Sequence, residues 1–568
     1  MSYTIIQFAV QITPTLVMVR VFVENASEPM QLYYQSPNNI VQVTEVTFPR
    51  DGLYTFYLNH TEPDTDYKYH MKVYKVHGEF RTLPEVTKSK EVKFNMLSCF
   101  GYAFDSETNN SPKHGVFPDD EVDFNLLLGD SIYADYYYPT TDSKILNIKP
   151  ALSILEFDEV YQKRLFNVHK IKKMFKESLN FILADDHEIF NNWNAFYRSF
   201  QYNTTLGTNG FSELQIAANI MYCVYAFGDP TIVAPPPPIP VTSQDDESTL
   251  WSVQSPNYIT GVMNGYHEFQ DNLNPNLAYF KFSYGKHIDF FVLNIMADRT
   301  PMSINNNSQI LSIISLDQMN WLLTGLSQSR ATVKFIVTTE AFSDLIILPR
   351  SSLSPTSQKL TFTQLYTTLV TNPSFYAPFV SLQGAVPTAV LDYEALTLNQ
   401  QYRVFGGTMA EFNGAGWMYY DQSNQVINIP QTNKQRNQII NFIKDNQISG
   451  VIFLTGDSHT SYVGYVDDLN NPDSFPLIEI CSSPSGSEPT RTITDYIKDD
   501  PLQKQFAYAT HHKSYMHITT DLDDHTIHIK CIKHNCHDFI SINLNKYKKL
   551  QEGHSHKKPI KVNHHKVL

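Results

Sequence analysis

Residues 180–188 read Asn-Phe-Ile-Leu-Ala-Asp-Asp-His-Glu, an apolar run that ends abruptly in three acids and a histidine. Short apolar runs with such boundaries are typical of buried strands. Three more runs of this kind end at Ser98-Cys99, at Gly129-Asp130-Ser131-Ile132-Tyr133 and at Gly456-Asp457-Ser458-His459. Ligands and catalytic groups in α/β sheets gather beyond the carboxyl ends of the strands, so we expect these four ends to converge on one site.

Composition limits the class of protein. The chain has 568 residues, and two or more domains are expected at that length. A hydrophobic fraction of 42% and a charged fraction of 18% suit a globular protein with a large core. A net charge of −14 argues against a general nucleic-acid binder but leaves room for a small phosphorylated substrate, because local charge at a site can outweigh the global sign.

The cysteine content and the N-terminal residues indicate the cellular compartment in which the chain is expected. Five cysteines form an odd, sparse set, which is not a disulfide framework. Residues 1–6 show neither a basic segment nor a long apolar segment, so no secretory signal is expected. No run of about 18 apolar residues occurs, so no membrane span is expected. We therefore expect a reducing, intracellular setting, while the sequence leaves the oligomeric state open.

Residues 1–88 have an all-β pattern. Residues 16–23 are strand-like, Asp51-Gly52 is a turn signal, and residues 67–73 alternate with the period of a strand. The segment resembles an immunoglobulin- or fibronectin-III-like sandwich. Polar residues 84–90 then indicate a linker.

A second domain is predicted over residues 91–545, where strand patterns alternate with helical ones. Such alternation predicts a layered α/β fold with helices covering the sheets. A proline-rich stretch within residues 229–273 predicts a surface insertion containing polyproline II. The Lys- and His-rich residues 546–568 are predicted to be a disordered tail.

The Gly-Asp-x-x-Tyr element at residues 129–133 indicates iron. A tyrosine phenol has a reference pKa of about 10, but a strongly polarising cation can deprotonate such a group. Tyrosinate is a ligand of ferric haem iron, so Tyr133 suggests a trivalent iron that Asp130 could bridge to a second ion. Cys99 would add a thiolate. The alternatives are a turn with a core tyrosine and a cysteine that acts as a small buried hydrophobe.

The three acids at residues 185–188 are harder to explain by a purely structural role than Cys99 or the Gly-Asp-x-x-Tyr element. Burying so much charge without a counter-ion would be costly, which favours a cation site. The alternative is a solvated helix start, because acids favour helix N-termini.

In their order along the chain, these motifs resemble the alkaline phosphatase D (PhoD-like) family of calcineurin-like metallophosphoesterases. The resemblance covers about residues 91 to 530. The motifs that carry it are Ser98-Cys99, Gly129-Asp130-Ser131-Ile132-Tyr133, Asp185-Asp186-His187-Glu188 with Asn191-Asn192-Trp193, Gln318-Met319-Asn320-Trp321-Leu322 and Gly456-Asp457-Ser458-His459. It implies a two-sheet α/β sandwich that carries Fe3+ and Ca2+, preceded by a small β-sandwich; other divalent metals are compatible with the same residues.

The resemblance also implies a role for each residue. Cys99, Tyr133 and His459 would hold ferric iron, and Asp130 would bridge the ions. Asp186 and Asp457 would bind metal, with Asp457 toward calcium, an ion that prefers carboxylate and carbonyl oxygens. His187 would be catalytic, with a plain metal ligand as its alternative role.

One segment departs from the family pattern. Asn294 stands in place of an acid and Met296 in place of an arginine, whereas Arg299 remains. Arg299 could clamp a phosphate through two hydrogen bonds, and a structural role is the alternative.

The resemblance predicts a metal-dependent hydrolase of phosphomonoesters or phosphodiesters. A phospholipid phosphodiesterase (phospholipase D-like) and a non-catalytic binding protein on a degenerate scaffold remain the alternatives.

Overall fold

The structure is a computed structural model of the chain. It describes residues 5–13, 15–23, 26, 28–38, 41–46, 53–101, 115–134, 157, 160–161, 169–188, 279–295, 313–343, 346–347, 360–361, 434–467, 469, 474–487, 489, 505–553 and 559–565. The predicted proline-rich insertion, Arg299, Met296 and residues 191–193 lie outside these ranges.

Strands make up most of the regular secondary structure in the described residues. The first twelve are β1 (Ile5–Thr13), β2 (Leu16–Val23), β3 (Met30–Gln35), β4 (Val41–Val46), β5 (Leu53–Asn59), β6 (Asp66–His70), β7 (His77–Arg81), β8 (Lys93–Leu97), β9 (Phe124–Leu128), β10 (Leu179–Leu183), β11 (Phe280–Tyr284) and β12 (Ile288–Val292). The others are β13 (Val333–Val337), β14 (Ile346–Ile347), β15 (Leu360–Thr361), β16 (Val451–Thr455), β17 (Ser461–Tyr465), β18 (Ile478–Cys481), β19 (Phe506–Thr510), β20 (Ser514–Asp521), β21 (Thr526–Lys533), β22 (His537–Asn543) and β23 (Ile560–His565).

Two large sheets form the body of the described fold. One has the order β23-β22-β21-β20-β8-β9-β10-β1-β2-β5, and the other has the order β11-β12-β13-β16-β18-β17-β19. Strands β8, β9 and β10 are parallel neighbours, as are β12, β13, β16 and β18. Aromatic rings join the two sheets: Phe94 and Phe124 of the first meet Phe290 of the second edge-on, at 5.4 and 5.5 Å between ring centroids. The predicted two-sheet sandwich is confirmed.

Helices cover the outer faces, as predicted. The α-helices within the described ranges are α1 (His169–Glu177), α2 (Leu316–Gln328), α3 (Lys434–Asp445) and α4 (Leu544–Gln551). Helix α2 begins after a capping residue, because Ser315 accepts a hydrogen bond from the backbone N of Gln318 at 3.2 Å. Leu322 of α2 and Ile443 of α3 are fully buried in one apolar cluster with the outer faces of the sheets. No helix within the described ranges is both long enough and apolar enough to cross a membrane.

The N-terminal strands divide between two sheets. Strands β3, β4, β6 and β7 form a four-stranded sheet in the order β4-β3-β6-β7, and their buried side chains share an apolar cluster with those of β2 and β5. This is the small β-sandwich expected for residues 1–88. Its second sheet is continuous with the ten-stranded sheet, because β1 pairs in parallel with β10 through Ala9 and Leu179. The division of the chain at residues 88–91 remains a prediction.

Part of the C-terminal tail is folded, so the prediction of disorder is wrong for the described residues of 546–568. Tyr547 of α4 is fully buried, and its hydroxyl donates to the carbonyl of Val451 at 2.6 Å and accepts from the backbone N of Ile478 at 3.1 Å. Strand β23 pairs antiparallel with β22. The prediction failed because it was based on the basic composition of the tail and overlooked the buried Tyr547 and strand β23.

A row of asparagines fixes the register of the strands that lead to the predicted site. Asn95 Nδ2 donates to Asn125 Oδ1 at 2.9 Å, and Asn125 Nδ2 donates to Asn180 Oδ1 at 3.0 Å. These residues are direct partners in β8, β9 and β10, and all three are fully buried. A slip of one residue would bury several amides without partners, so the row opposes slippage.

We expect Asn125→Ala to lower the free energy of unfolding by about 2–4 kcal/mol, because each of its two amide partners loses a buried hydrogen bond. Urea unfolding followed by circular dichroism measures the change. Asn563→Ala, at an exposed position in β23, is the control and should change it little. Equal stability of the two variants would show that the row does not hold the register.

Candidate metal centre

The four predicted strand ends meet at one place. Ligand-type atoms of Cys99, Asp130 and His459 lie within 4.8 Å of one another. The same limit holds for the group Asp130, Asp186 and His187. The loops after β8, β9, β10 and β16 therefore supply one continuous cluster, to which both sheets contribute.

Unusual backbone conformations aim these side chains at the cluster. Cys99, Asp130, Asp457 and His459 all have left-handed backbones, with φ of 52°, 52°, 57° and 48°. Such conformations cost about 1–3 kcal/mol each and concentrate at functional sites. Gly129 has φ of 78°, and a Cβ there would stand 2.2 Å from the Cβ of Asp185. Only glycine allows the loops after β9 and β10 to approach so closely.

Asp130 lies between the predicted thiolate and phenolate ligands. Its Oδ2 is 3.4 Å from Cys99 Sγ and 3.4 Å from the hydroxyl oxygen of Tyr133. Its Oδ1 accepts a hydrogen bond from the backbone N of His187 at 3.3 Å. Asp130 thus contacts residues from three of the four loops.

A second group within the cluster is made of carboxylates alone. Oxygens of Asp130, Asp185, Asp186 and Asp457 lie within 4.8 Å of one another, and all four residues are at most 5% exposed. Burial, followed by repulsion from Asp457 and Asp186, raises the pKa of Asp185 well above its usual range. Its Oδ2 has no hydrogen-bond partner among the described residues.

This carboxylate group fits metal cations. Buried carboxylates are costly unless a counter-charge is present, and cations would supply one here. Carboxylate oxygens suit hard cations such as calcium, whereas the thiolate, phenolate and imidazole at the other end suit iron. Asp185, to which the sequence assigned no role, belongs to the candidate ligands because of its buried oxygen.

Glu188 holds the loops in place. Its Oε1 accepts hydrogen bonds from the backbone N of Ser131 at 2.7 Å and of Ile132 at 3.1 Å. Its Oε2 accepts from the backbone N of Asp130 at 2.9 Å and of Asp185 at 2.7 Å. The pKa of Glu188 is raised to about 7, because burial, which raises it, outweighs the four amide hydrogen bonds, which lower it. The sequence showed the acid but not this role, because three of its four partners lie in another loop.

His187 stacks on Tyr133, with 4.0 Å between ring centroids and 30° between the planes. It is 7% exposed, and its ring nitrogen lies near the carboxylates of Asp130 and Asp186. This position suits both roles that the sequence left open, a catalytic group and a metal ligand. Arg299, the other predicted catalytic residue, lies outside the described residues.

The segment around Asn294 is held by helix α2. Gln318 Oε1 accepts from the backbone N of Asn294 at 2.9 Å, and Gln318 Nε2 donates to its carbonyl at 3.0 Å. The glutamine of the predicted Gln-x-x-Trp motif thus fixes the chain just after β12. Its contribution is structural.

A further loop was missed from the sequence. Residues 482–487, which follow β18, contact Cys99, Tyr133 and His459 through serine hydroxyls. The sequence did contain a signal for this loop, because the apolar run of β18 ends abruptly in Ser-Ser-Pro-Ser-Gly-Ser, as the four predicted runs end in polar residues.

We expect Glu188→Gln to lower the free energy of unfolding by at least about 3 kcal/mol, because hydrogen bonds to a charged group contribute about 1.5–3 kcal/mol each. The glutamine amide would place donors against backbone donors. Urea unfolding and elemental analysis measure the two consequences, lower stability and lower metal content. Glu79→Gln, on the exposed side of β7, is the control; a Glu188→Gln protein that matches it in both would refute the role.

Two solved structures are similar to this chain in fold. The solved structure of PhoD matches with a TM-score of 0.61 at 15% identity, over 99% of this chain and 92% of that one. The structure of purple acid phosphatase PPD1 from yellow lupin (Lupinus luteus) seeds matches with a TM-score of 0.44 at 10% identity, over 93% and 72% of the two chains. No curated protein sequence matches the chain.

A protein-family model matches most of the chain. The model of the PhoD-like phosphatase family matches residues 94–529, which include all four strand ends. The chain therefore belongs to the PhoD-like phosphatase family and is a hydrolase of phosphoric esters.

Proposed function

We propose that the chain hydrolyses phosphomonoesters or phosphodiesters at this centre with a pair of unlike metal ions, ferric iron and calcium. The observation that carries the proposal is the continuous cluster in which Asp130 joins a thiol and a phenol on one side to three carboxylates on the other. A single ion would not require two such different sets of ligands.

The iron side of the proposal uses Cys99, Tyr133 and His459, with Asp130 between the two ions. The calcium side uses the oxygens of Asp186 and Asp457. Support comes from the nature of the donors, since a thiolate and a phenolate favour iron over calcium, and carboxylates favour calcium. When bound, the ions would withdraw charge from the phosphoryl oxygens and activate water for attack on phosphorus.

His187 is assigned to the chemistry. During hydrolysis the ester P–O bond breaks, and the leaving oxygen must gain a proton. A histidine beside the carboxylate cluster is suited to donate that proton or to hydrogen-bond the phosphoryl oxygens. Its stacking on Tyr133 supports this role by holding the ring in one orientation.

Hydrolysis of a chromogenic phosphomonoester and a chromogenic phosphodiester tests the proposed function. We expect Asp130→Asn to abolish both activities and to lower the metal content, because the residue stands between the two ligand sets. Circular dichroism should show that the fold is kept, and Asp317→Asn, at an exposed position in α2, should keep full activity. Near wild-type turnover by Asp130→Asn would refute the catalytic role of the centre and favour a binding function.

We expect His187→Ala to lower the maximal rate by about 10²–10⁴-fold, the usual contribution of a general acid or base. Its metal content should stay close to that of the wild type, because the other ligands remain. The loss should be smaller for a substrate with a good leaving group, which needs little protonation. His528→Ala, exposed on β21, is the control. Loss of metal in step with activity would instead make His187 a metal ligand.

A further inference from the structure

The loop of residues 482–487, called the serine loop below, lies against the proposed iron ligands. Ser483 Oγ donates to Cys99 Sγ at 3.1 Å, and Ser487 Oγ lies 2.5 Å from the hydroxyl oxygen of Tyr133. We propose that Ser483 and Ser487 are positioning residues that set how much charge Cys99 and Tyr133 donate to the metal.

The backbone of the serine loop is fixed to the loop that carries the thiol. The carbonyl of Cys99 accepts hydrogen bonds from the backbone N of Gly486 at 3.0 Å and of Ser487 at 2.9 Å. The carbonyl of Ser98 accepts from the backbone N of Ser485 at 2.9 Å. These bonds hold the two serine hydroxyls at fixed distances from the ligand atoms.

Ser483 connects two of the proposed iron ligands. Its Oγ accepts a hydrogen bond from the backbone N of His459 at 3.0 Å and uses its single proton toward Cys99 Sγ. The residue is fully buried, so water does not compete for that proton. Its hydroxyl is therefore committed to the sulfur.

The direction of the other bond follows from chemistry. A neutral Tyr133 could donate to Ser487 or accept from it, but a phenolate can only accept. Once Tyr133 binds a metal as phenolate, Ser487 must donate. Hydrogen bonds to anionic ligands draw electron density away from the metal and thereby tune its reduction potential. Both serines would therefore weaken the charge donation of their ligands.

This inference rests on the proposed ferric iron, and the spectrum of the iron-loaded protein tests both. Phenolate bound to ferric iron absorbs visible light by charge transfer. Removing the Ser487 hydroxyl raises the energy of the phenolate electrons, so we expect the band of Ser487→Ala to move to longer wavelength. The reduction potential of the iron should fall in Ser487→Ala and in Ser483→Ala.

Ser485→Ala is the matched control from the same loop. Its Oγ contacts the carbonyl of Ser514 at 3.4 Å, and no hydrogen bond joins it to a ligand-type side chain among the described residues. We expect its band and potential to match the wild type. Ser487→Thr, which keeps a hydroxyl, should restore most of the wild-type band position.

The possible outcomes separate the two claims. A wild-type protein without iron, or without a visible band, would overturn the iron assignment and this inference with it. A coloured wild type whose band and potential are unmoved in Ser487→Ala would overturn the inference alone. An equal shift in Ser485→Ala would also overturn it, because the effect would then come from general disturbance of the serine loop.

Discussion

The burial of four carboxylates at one end of a sandwich is the constraint on which the rest of the site depends. Asp130, Asp185, Asp186 and Asp457 stand within 4.8 Å of one another with almost no exposure to water. Without counter-charge, burial and, after it, mutual repulsion raise the pKa of Asp130 and of Asp185 well above the usual range. Cations turn this repulsion into binding energy, so the fold and the metal centre stabilise each other.

Two features of the fold keep the carboxylates together. The buried row of Asn95, Asn125 and Asn180 fixes the register of three parallel strands. Each of these strands ends two residues before a candidate ligand. Glu188 then ties the loop after β9 to the loop after β10 through four backbone amides. The left-handed residues at the strand ends add strain that these hydrogen bonds offset.

Local patterns predicted the layered α/β fold and the convergence of its strand ends, whereas the two-sheet sandwich was implied by the family resemblance. Apolar runs mark buried strands, and the polar residue that ends each run marks the edge at which ligands gather. The contribution of Glu188 and of Ser483 and Ser487 was not predictable, because it lies in hydrogen bonds between segments far apart in sequence. The folded tail was missed for a similar reason: Tyr547 matters through its bonds to β16 and β18, not through its own neighbours.

Diffraction from crystals of the active protein, recorded on both sides of the iron absorption edge, tests the central claim most directly. An iron-specific anomalous peak is expected among Cys99, Asp130, Tyr133 and His459, with a second, iron-free metal peak beside Asp186 and Asp457. An active protein without metal scattering between these side chains would contradict the account.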